Sequence, residues 1–366
     1  MQDKVKRYSR IKYSFAIVDT LYLLLLLFLL QSSGFALCLE NSLSLVFGNN
    51  FLLVFSYCLI LYLLYFLLTF PLGFYRSYVV EHRFGLSRQK FLPWLSDQFK
   101  ELLVGFIIFI ILIQGFFFFL RTFPLNWWWI SALFWVFFSV ILARVFPVLI
   151  IPLFFKYKPI SDEALRARIL NLGKKMGVKV LDVFQIDFSK KTEKANAALV
   201  GLGKSKRVIL TDTLQGKYTP EEIEVILAHE FSHYRLRHMI KLLILNAATI
   251  FLSFYVIFYF SGLILEASKL HLSDVAGLGI WLFCFTLLQI IATPLLNWIS
   301  RVMEKNADFL ALKSSGLKEA FISMMSKLSA QNLSDTNPAR WIKVWFYDHP
   351  PTIERIKMAE RYKHED

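Results

Sequence analysis

The sequence predicts a polytopic α-helical membrane protein with a small cytosolic α+β unit, and three observations lead to this fold class. Of the 366 residues, 56% are hydrophobic and 17% are aromatic, against roughly 45–50% apolar residues in soluble domains. Apolar stretches long enough to cross a bilayer recur along the chain. Longer polar segments follow the fourth and the sixth of them. We therefore divide the chain into a first membrane region (1–155), a polar unit (156–240), two further spans (241–300) and a polar C-terminal region (301–366).

Six stretches are predicted to span the membrane, and the basic residues between them orient the chain. The predicted spans are 14–39, 51–75, 102–120, 127–155, 241–265 and 278–300. Lys and Arg gather before the first span, in loop 76–101 and in both polar segments, whereas 40–50 contains none and 121–126 and 266–277 contain one each. The positive-inside rule then predicts that both termini and both polar segments are cytosolic. A bacterial inner membrane or an endoplasmic reticulum membrane fits this topology.

The net charge of +14 raises the question of nucleic-acid binding. Proteins that bind nucleic acid concentrate basic residues in one patch or stripe. Here the basic residues follow the predicted loops, so membrane topology explains them. We predict membrane lipid as a partner and no nucleic acid.

The polar unit is predicted to contain a helix, three short strands and a second helix. Ser161 is predicted to cap the first helix, which runs to about Met176. Strand-forming residues recur at 180–186, 196–202 and 207–210. The second helix is predicted from Thr219 to His238, because Thr219 is a favourable N-cap and Glu222 lies three residues later, as in a capping box.

The second helix carries the motif HEFSH, which indicates a metal site. His229 and His233 are four residues apart, so both imidazoles project from one helix face. Two histidines so placed suit Zn²⁺, which we expect in one copy per chain. Glu230, between them, is then placed to accept a proton from an attacking water.

A catalytic zinc needs a third protein ligand, and the helix predicted from Arg301 offers two carboxylates on one face. Glu304 is a candidate ligand. Asp308, four residues later, is a candidate hydrogen-bond partner for a ligand histidine. The alternative is that both are solvated acids on an amphipathic helix, and the spacing alone leaves both interpretations open.

Five motifs together resemble the type I CAAX prenyl protease family, which consists of integral-membrane zinc endopeptidases of the gluzincin type. The motifs are EHRFGLSRQ (81–89), the strand with Asn196 and Ala197, HEFSH (229–233), EKNAD (304–308) and DHPPTIERI (348–356). Their order extends the resemblance over nearly the whole chain.

The resemblance implies a role for each site residue. It implies that His229, His233 and Glu304 bind zinc, that Glu230 is the general base and acid, and that Asp308 supports a ligand. It further implies that His349 and Arg355 stabilise the transition state. Asn196 and Ala197 would lie on an edge strand that pairs with the substrate backbone. The implied fold is a ring of membrane helices around a water-filled chamber, with the protease unit at its cytosolic face.

Two departures from the family pattern stand out. Eukaryotic members have seven spans, whereas six are predicted here, with one fewer before EHRFG. The motif usually reads HELGH, and this chain has Phe231 and Ser232 at the variable positions. Neither side chain takes part in metal chemistry.

The expected reaction, by resemblance, removes the last three residues of a prenylated CAAX protein or peptide. A rival function is quality control of damaged membrane proteins, as in the shorter heat-shock membrane zinc proteases of bacteria, which share HExxH. Four spans before the polar unit and the EHRFG loop favour the CAAX type. A remoter rival is a non-enzymatic scaffold or transporter, but the paired broken spans typical of transporters do not occur here.

Overall fold

The computed structural model describes residues 2–201 and 206–362. The helices are, in chain order, α1 (Gln2–Ser32), α2 (Phe35–Ser44), α3 (Asn50–Phe74), α4 (Glu81–Arg83), α5 (Phe91–Thr122), α6 (Trp127–Val145), α7 (Ile151–Phe154), α8 (Glu163–Lys175), α9 (Pro220–Arg235), α10 (His238–Ser268), α11 (Leu278–Ser315), α12 (Lys318–Gln331), α13 (Arg340–Phe346) and α14 (Thr352–Arg361). The strands are β1 (Tyr157–Pro159), β2 (Asp182–Ile186), β3 (Ala197–Val200) and β4 (Arg207–Thr211).

Six of the described helices are long and apolar enough to cross a membrane, which confirms the predicted number of spans. They form a closed ring. α1 packs against α11, α11 against α10, α10 against α6, α6 against α5 and α5 against α3. The ring closes where the Tyr22 hydroxyl of α1 donates to the Leu68 carbonyl of α3 and where α2 contacts both helices. The protein is a multi-pass membrane protein.

The spans cover little of one another's surface. In the most apolar window of each span, between 0% and 33% of the residues are buried. A helix in a solid bundle would bury a broad stripe against its neighbours. Most of the surface of each span is therefore left uncovered by the rest of the protein.

The first span is shorter than the sequence predicted. α1 ends at Ser32, and Gly34 adopts a left-handed conformation with φ 74°, which glycine tolerates without steric cost. The following residues, predicted to continue the span to 39, instead form the separate helix α2. Both oxygens of the Glu40 carboxylate accept backbone N–H groups, from Val275 and Ala276, and so tie α2 to the segment before α11.

The polar unit is built on a four-stranded sheet with the order β1-β2-β4-β3. β2 and β4 are parallel, and the other pairs are antiparallel, which leaves β3 at an edge. The three predicted strands are present, although Leu202, the predicted end of the second, lies outside the described residues. β1 was not predicted. The predicted cap of α8 was wrong, since the side chain of Asp162, not of Ser161, accepts the Leu165 N–H.

α9 begins as predicted and ends earlier. The capping box is complete: Thr219 accepts the Glu222 N–H, and the Glu222 carboxylate accepts the Thr219 N–H. The helix predicted to reach His238 stops at Arg235, because Arg237 is left-handed with φ 56° and α10 begins at the next residue. α9 packs on the sheet, α8, α11 and α12 around one apolar core.

α11 joins the ring to the polar unit without interruption. The prediction that residues 301–312 continue the sixth span is confirmed, because one 38-residue helix runs from Leu278 to Ser315. Loop 81–89 forms a second connection between the ring and the polar unit. Leu86 accepts the Glu193 N–H, and the Arg88 N–H donates to Lys191, immediately before β3.

Candidate active site

The structure brings His229 and His233 of α9 together with Glu304 of α11. The Nε2 atoms of the two histidines lie 3.0 Å apart. His229 Nε2 lies 3.2 Å from Glu304 Oε2, and His233 Nε2 lies 3.2 Å from Glu304 Oε1. These contacts arise because the two helices pack closely along their lengths. Three potential metal-ligand atoms, one from each residue, lie within 4.8 Å of one another.

Asp308 occupies the other side of His229. Its Oδ1 lies 2.9 Å from His229 Nδ1, and its side chain is fully buried. The Arg355 guanidinium donates two hydrogen bonds to the same carboxylate, at 2.7 and 2.5 Å. Asp308 therefore accepts from both groups, and the His229 ring keeps Nε2 directed at Glu304.

The donor set fits a metal ion. Glu304 Oε2 is buried, and among the described residues no donor reaches it with hydrogen-bond geometry, although His229 Nε2 lies 3.2 Å away. Leaving a buried carboxylate oxygen unsatisfied is costly. Burial lowers the pKa of His229, but the adjacent carboxylates of Asp308 and Glu304 outweigh this effect and raise the pKa. The carboxylates thus favour positive charge at the cluster, and two imidazole nitrogens with one carboxylate oxygen form a ligand set that zinc accepts.

Glu230 and His349 lie beside the cluster. Burial raises the pKa of Glu230, and the neighbouring His229 and His233 counter this shift only in part. His349 Nε2 lies 3.4 Å from Glu304 Oε1, while its Nδ1 contacts Asp348 at 2.8 Å. Burial lowers the pKa of His349, but Asp348 and Glu304 outweigh it, so the net shift is upward. Half of the His349 side chain remains exposed.

The predicted substrate residues lie at the start of the edge strand. Ala197 is the first residue of β3, which pairs with β4 on one side only. Asn196 precedes it, and its carbonyl accepts the Thr211 N–H at 3.1 Å. The strand packs against α9, so it lies next to the helix that carries the two histidines.

A mostly apolar cavity of about 720 Å³ lies along β3, between the sheet and the ends of the spans that adjoin the polar unit. The edge strand lines it with Asn196 and Ala197. Its other walls are one face of α5 and the segment from α6 to β1. The apolar lining residues from these walls include Val104, Ile108, Phe146, Ile150, Ile151 and Phe154.

One residue near the cluster was not identified from the sequence. The Nδ1 atom of His238 lies 3.0 Å from His233 Nδ1. Helical periodicity could not indicate this contact, because His238 lies beyond the end of α9. The only available signal was a third histidine five residues after the motif.

A HExxH helix whose histidines meet a glutamate from a second helix, set on a ring of membrane spans, defines the class of membrane-embedded gluzincin-type metallopeptidases. Comparison with known proteins agrees. Residues 159–363 match the model of peptidase family M48, and residues 2–156 match the model described as CAAX prenyl protease N-terminal, five membrane helices. The chain belongs to peptidase family M48, and it is a membrane metalloprotease of the CAAX prenyl protease type.

Individual relatives extend over most of the chain. A Bacillus subtilis protein named uncharacterized metalloprotease YhfN is 30% identical over 298 residues, covering 80% of this chain and 70% of that protein. CAAX prenyl protease 1 of Saccharomyces cerevisiae is 29% identical over 308 residues, covering 78% and 67%. The crystal structure of S. mikatae Ste24p superposes with a TM-score of 0.84 at 25% identity, covering 97% of this chain and 87% of that one.

The number of spans differs from the family description. The N-terminal model describes five membrane helices, whereas residues 2–156 contain four helices long enough to span. The 10-residue α2 is too short to cross a bilayer.

Proposed function

We propose that this protein is a zinc endopeptidase that removes the C-terminal tripeptide from prenylated CAAX proteins or peptides at the cytosolic face of the membrane. The observation that carries the proposal is the convergence of ligand atoms from His229, His233 and Glu304, together with a buried Glu304 oxygen that no donor reaches with hydrogen-bond geometry. These three residues would hold one zinc ion per chain. Membership of a metalloprotease family supports the presence of a metal.

Each remaining residue has a distinct task in the proposed reaction. Zinc, when bound, supplies Lewis-acid chemistry that polarises a peptide carbonyl and lowers the pKa of an attacking water. Glu230 accepts a proton from that water while the water oxygen attacks the carbonyl carbon. Glu230 then gives the proton to the leaving amine as the C–N bond breaks. Its raised pKa suits both directions of transfer.

Cationic side chains support the developing oxyanion. His349 is favourably placed, because it is half exposed and its raised pKa favours the protonated form. The same role for Arg355 stays a prediction. Its two hydrogen bonds to Asp308 favour an indirect task, in which Arg355 holds Asp308 against His229.

The edge strand and the cavity support a lipidated peptide as the substrate. A free strand edge binds an extended peptide through main-chain hydrogen bonds, which would be the task of Asn196 and Ala197. The adjoining cavity of about 720 Å³ is mostly apolar, and its size is within the ~300–1,000 Å³ of small-ligand sites. An isoprenoid chain attached to the peptide fits these surroundings better than a polar side chain does.

The cytosolic location is supported by charge. Lys and Arg are concentrated at the N-terminus of α1, in loop 76–101 and around the protease unit, and cytosolic loops carry such an excess. The membrane lipid would present the prenylated tail at this face.

The experiment compares wild type with Glu230→Gln on a farnesylated CAAX peptide, with zinc content measured in both. We expect zinc in both proteins and a loss of roughly 10²–10⁴-fold in cleavage for the variant, as for removal of a general base. The exposed Glu319→Gln is the control and should cleave normally.

Two results would contradict the proposal. If Glu230→Gln still cleaves the peptide at the wild-type rate, Glu230 is not the general base. Zinc in both proteins with no cleavage by wild type would overturn the CAAX substrate, and unfolded membrane proteins would be the next substrates to test.

A further inference from the structure

His238 is a buried histidine that the proposed reaction does not use. It is the first residue of α10, and its exposed fraction is 1%. Its Nδ1 lies 3.0 Å from His233 Nδ1, within hydrogen-bond distance. The two rings meet edge to face, with centroids 5.0 Å apart.

The turn between α9 and α10 is what brings His238 to this position. Arg237 has φ 56° and ψ 34°, a left-handed conformation that disfavours side chains with a Cβ atom. Its carbonyl accepts the N–H groups of Ile240 and Lys241 and so starts the next helix. Such a strained residue persists only where the surroundings impose it.

The two histidines of the motif are therefore supported in parallel. Both Nε2 atoms face Glu304 at 3.2 Å. On the far side of the rings, His229 Nδ1 meets Asp308 and His233 Nδ1 meets His238. A histidine that binds a metal almost always donates its other N–H to a fixed acceptor, which sets the tautomer and the ring orientation.

We propose that His238 is a positioning residue for the metal site, whose Nδ1 accepts the Nδ1–H of His233. In a neutral imidazole one nitrogen donates and the other accepts, so His238 carries its proton on Nε2. His233 then keeps its Nε2 lone pair directed at the metal position. This inference rests on the proposed zinc function and extends it: the first residue of a membrane span orients a zinc ligand.

The test measures zinc affinity, by competition with a chelator, in detergent-purified wild type, His238→Leu and His238→Asn. Loss of such a partner typically weakens metal binding 10–100-fold, and we expect this loss for His238→Leu. The Asn variant retains an acceptor oxygen and should recover most of the affinity. Met239→Leu, at an exposed neighbouring position of α10, is the control and should bind zinc like wild type.

A merely structural role is separated by thermal unfolding with and without zinc. If His238 only packs, His238→Leu lowers the melting temperature equally in both conditions. If it positions His233, the increase in melting temperature on adding zinc becomes smaller than in wild type. Equal zinc affinity in wild type and His238→Leu overturns this inference alone, whereas wild type that binds no zinc overturns the proposed function as well.

A second measurement does not require the Leu variant to fold. In zinc-loaded wild type labelled with ¹⁵N-histidine, we expect the His238 Nδ1 resonance, assigned with His238→Asn, to be that of an unprotonated acceptor. A protonated Nδ1 at His238 overturns the inference.

Discussion

α9 of the protease unit and α6 of the membrane ring differ in how much of their surface the protein itself covers. Nine of the 16 residues of α9 are buried, whereas α6 buries three of its 19. The protease unit is therefore stabilised by its own core. The ring relies on the surrounding bilayer, because its apolar side chains need an apolar environment that the protein does not provide. Substitutions in these two regions should have very different effects.

The largest expected effect lies where the two regions share a helix. Glu304→Ala removes the carboxylate that α11 contributes to the cluster, so zinc content should fall from about one per chain to near zero. Cleavage should fall roughly 10³-fold or more, because the metal and the base act together. Metal analysis and peptide cleavage check this. Lys305→Ala, on the exposed face of α11, should retain both, and zinc retained by Glu304→Ala would contradict the ligand assignment.

A matched pair of phenylalanines tests the comparison directly. Phe231 of α9 is fully buried, whereas Phe137 of α6 is 63% exposed within the protein. Phe231→Ala should lower the free energy of unfolding by about 3–5 kcal/mol, as in other cores. Phe137→Ala should change it by about 0.5 kcal/mol or less. Unfolding in detergent micelles measures both free energies. Equal losses would show that packing within the protein stabilises the ring as much as it stabilises the protease unit.

The capping box adds a pH dependence to the stability of the protease unit. Burial raises the pKa of Glu222, but hydrogen bonds from Lys327, Ser323 and Thr219 outweigh it and lower the pKa. Its charge therefore stabilises the folded state above the unfolded pKa of about 4.3, and this contribution is lost as the pH falls through the folded pKa.

Glu222→Gln keeps a side chain that can cap the helix and removes the charge. We expect a loss of about 1 kcal/mol at pH 7, because Lys327 is partly exposed and its charge is partly screened. The difference from wild type should shrink toward pH 3 in melting experiments. A difference that does not change with pH would mean that the charge of Glu222 does not contribute.

The smallest expected effect lies at the joint between the regions. The Glu81 carboxylate accepts the Tyr8 hydroxyl at 2.6 Å and the Lys194 ammonium at 2.8 Å, two residues before Asn196. Glu81→Gln should cost about 0.5–1 kcal/mol and speed hydrogen exchange in 195–200 several-fold, since local opening follows local stability. Arg83→Gln, exposed on the same turn, is the control. Unchanged exchange at β3 would mean that loop 81–89 does not hold the edge strand.

The features predicted best from the sequence are those set by short-range rules. Bilayer thickness fixes the length of the six spans, and helical periodicity places His229 and His233 on one face. The capping box of Thr219 and Glu222 is complete within four residues. The continuation of the sixth span past Arg301 followed from unbroken helix-forming residues.

The features that could not be predicted depend on the backbone at single residues or on tertiary contacts. Gly34 ends the first span, although the residues that follow it, 35–39, are apolar enough to continue it. Arg237 adopts a left-handed conformation that no propensity favours, and that turn carries His238 to His233. The attachment of Arg355 to Asp308 requires α14 and α11 to meet, which no local pattern encodes.

Because α11 is one continuous helix, a change in its tilt within the bilayer would move the residues that it contributes to the catalytic centre. Glu304 lies 26 residues after Leu278, which is about 39 Å along a helix with a rise of 1.5 Å per residue. A tilt of about 3° about the far end would move the Glu304 carboxylate by about 2 Å, enough to leave the reach of both histidines, whose contacts are 3.2 Å long. Membrane helices adjust their tilt to bilayer thickness. Because α11 also packs closely against α9, we expect this packing to keep Glu304 beside the two histidines when the span changes its tilt.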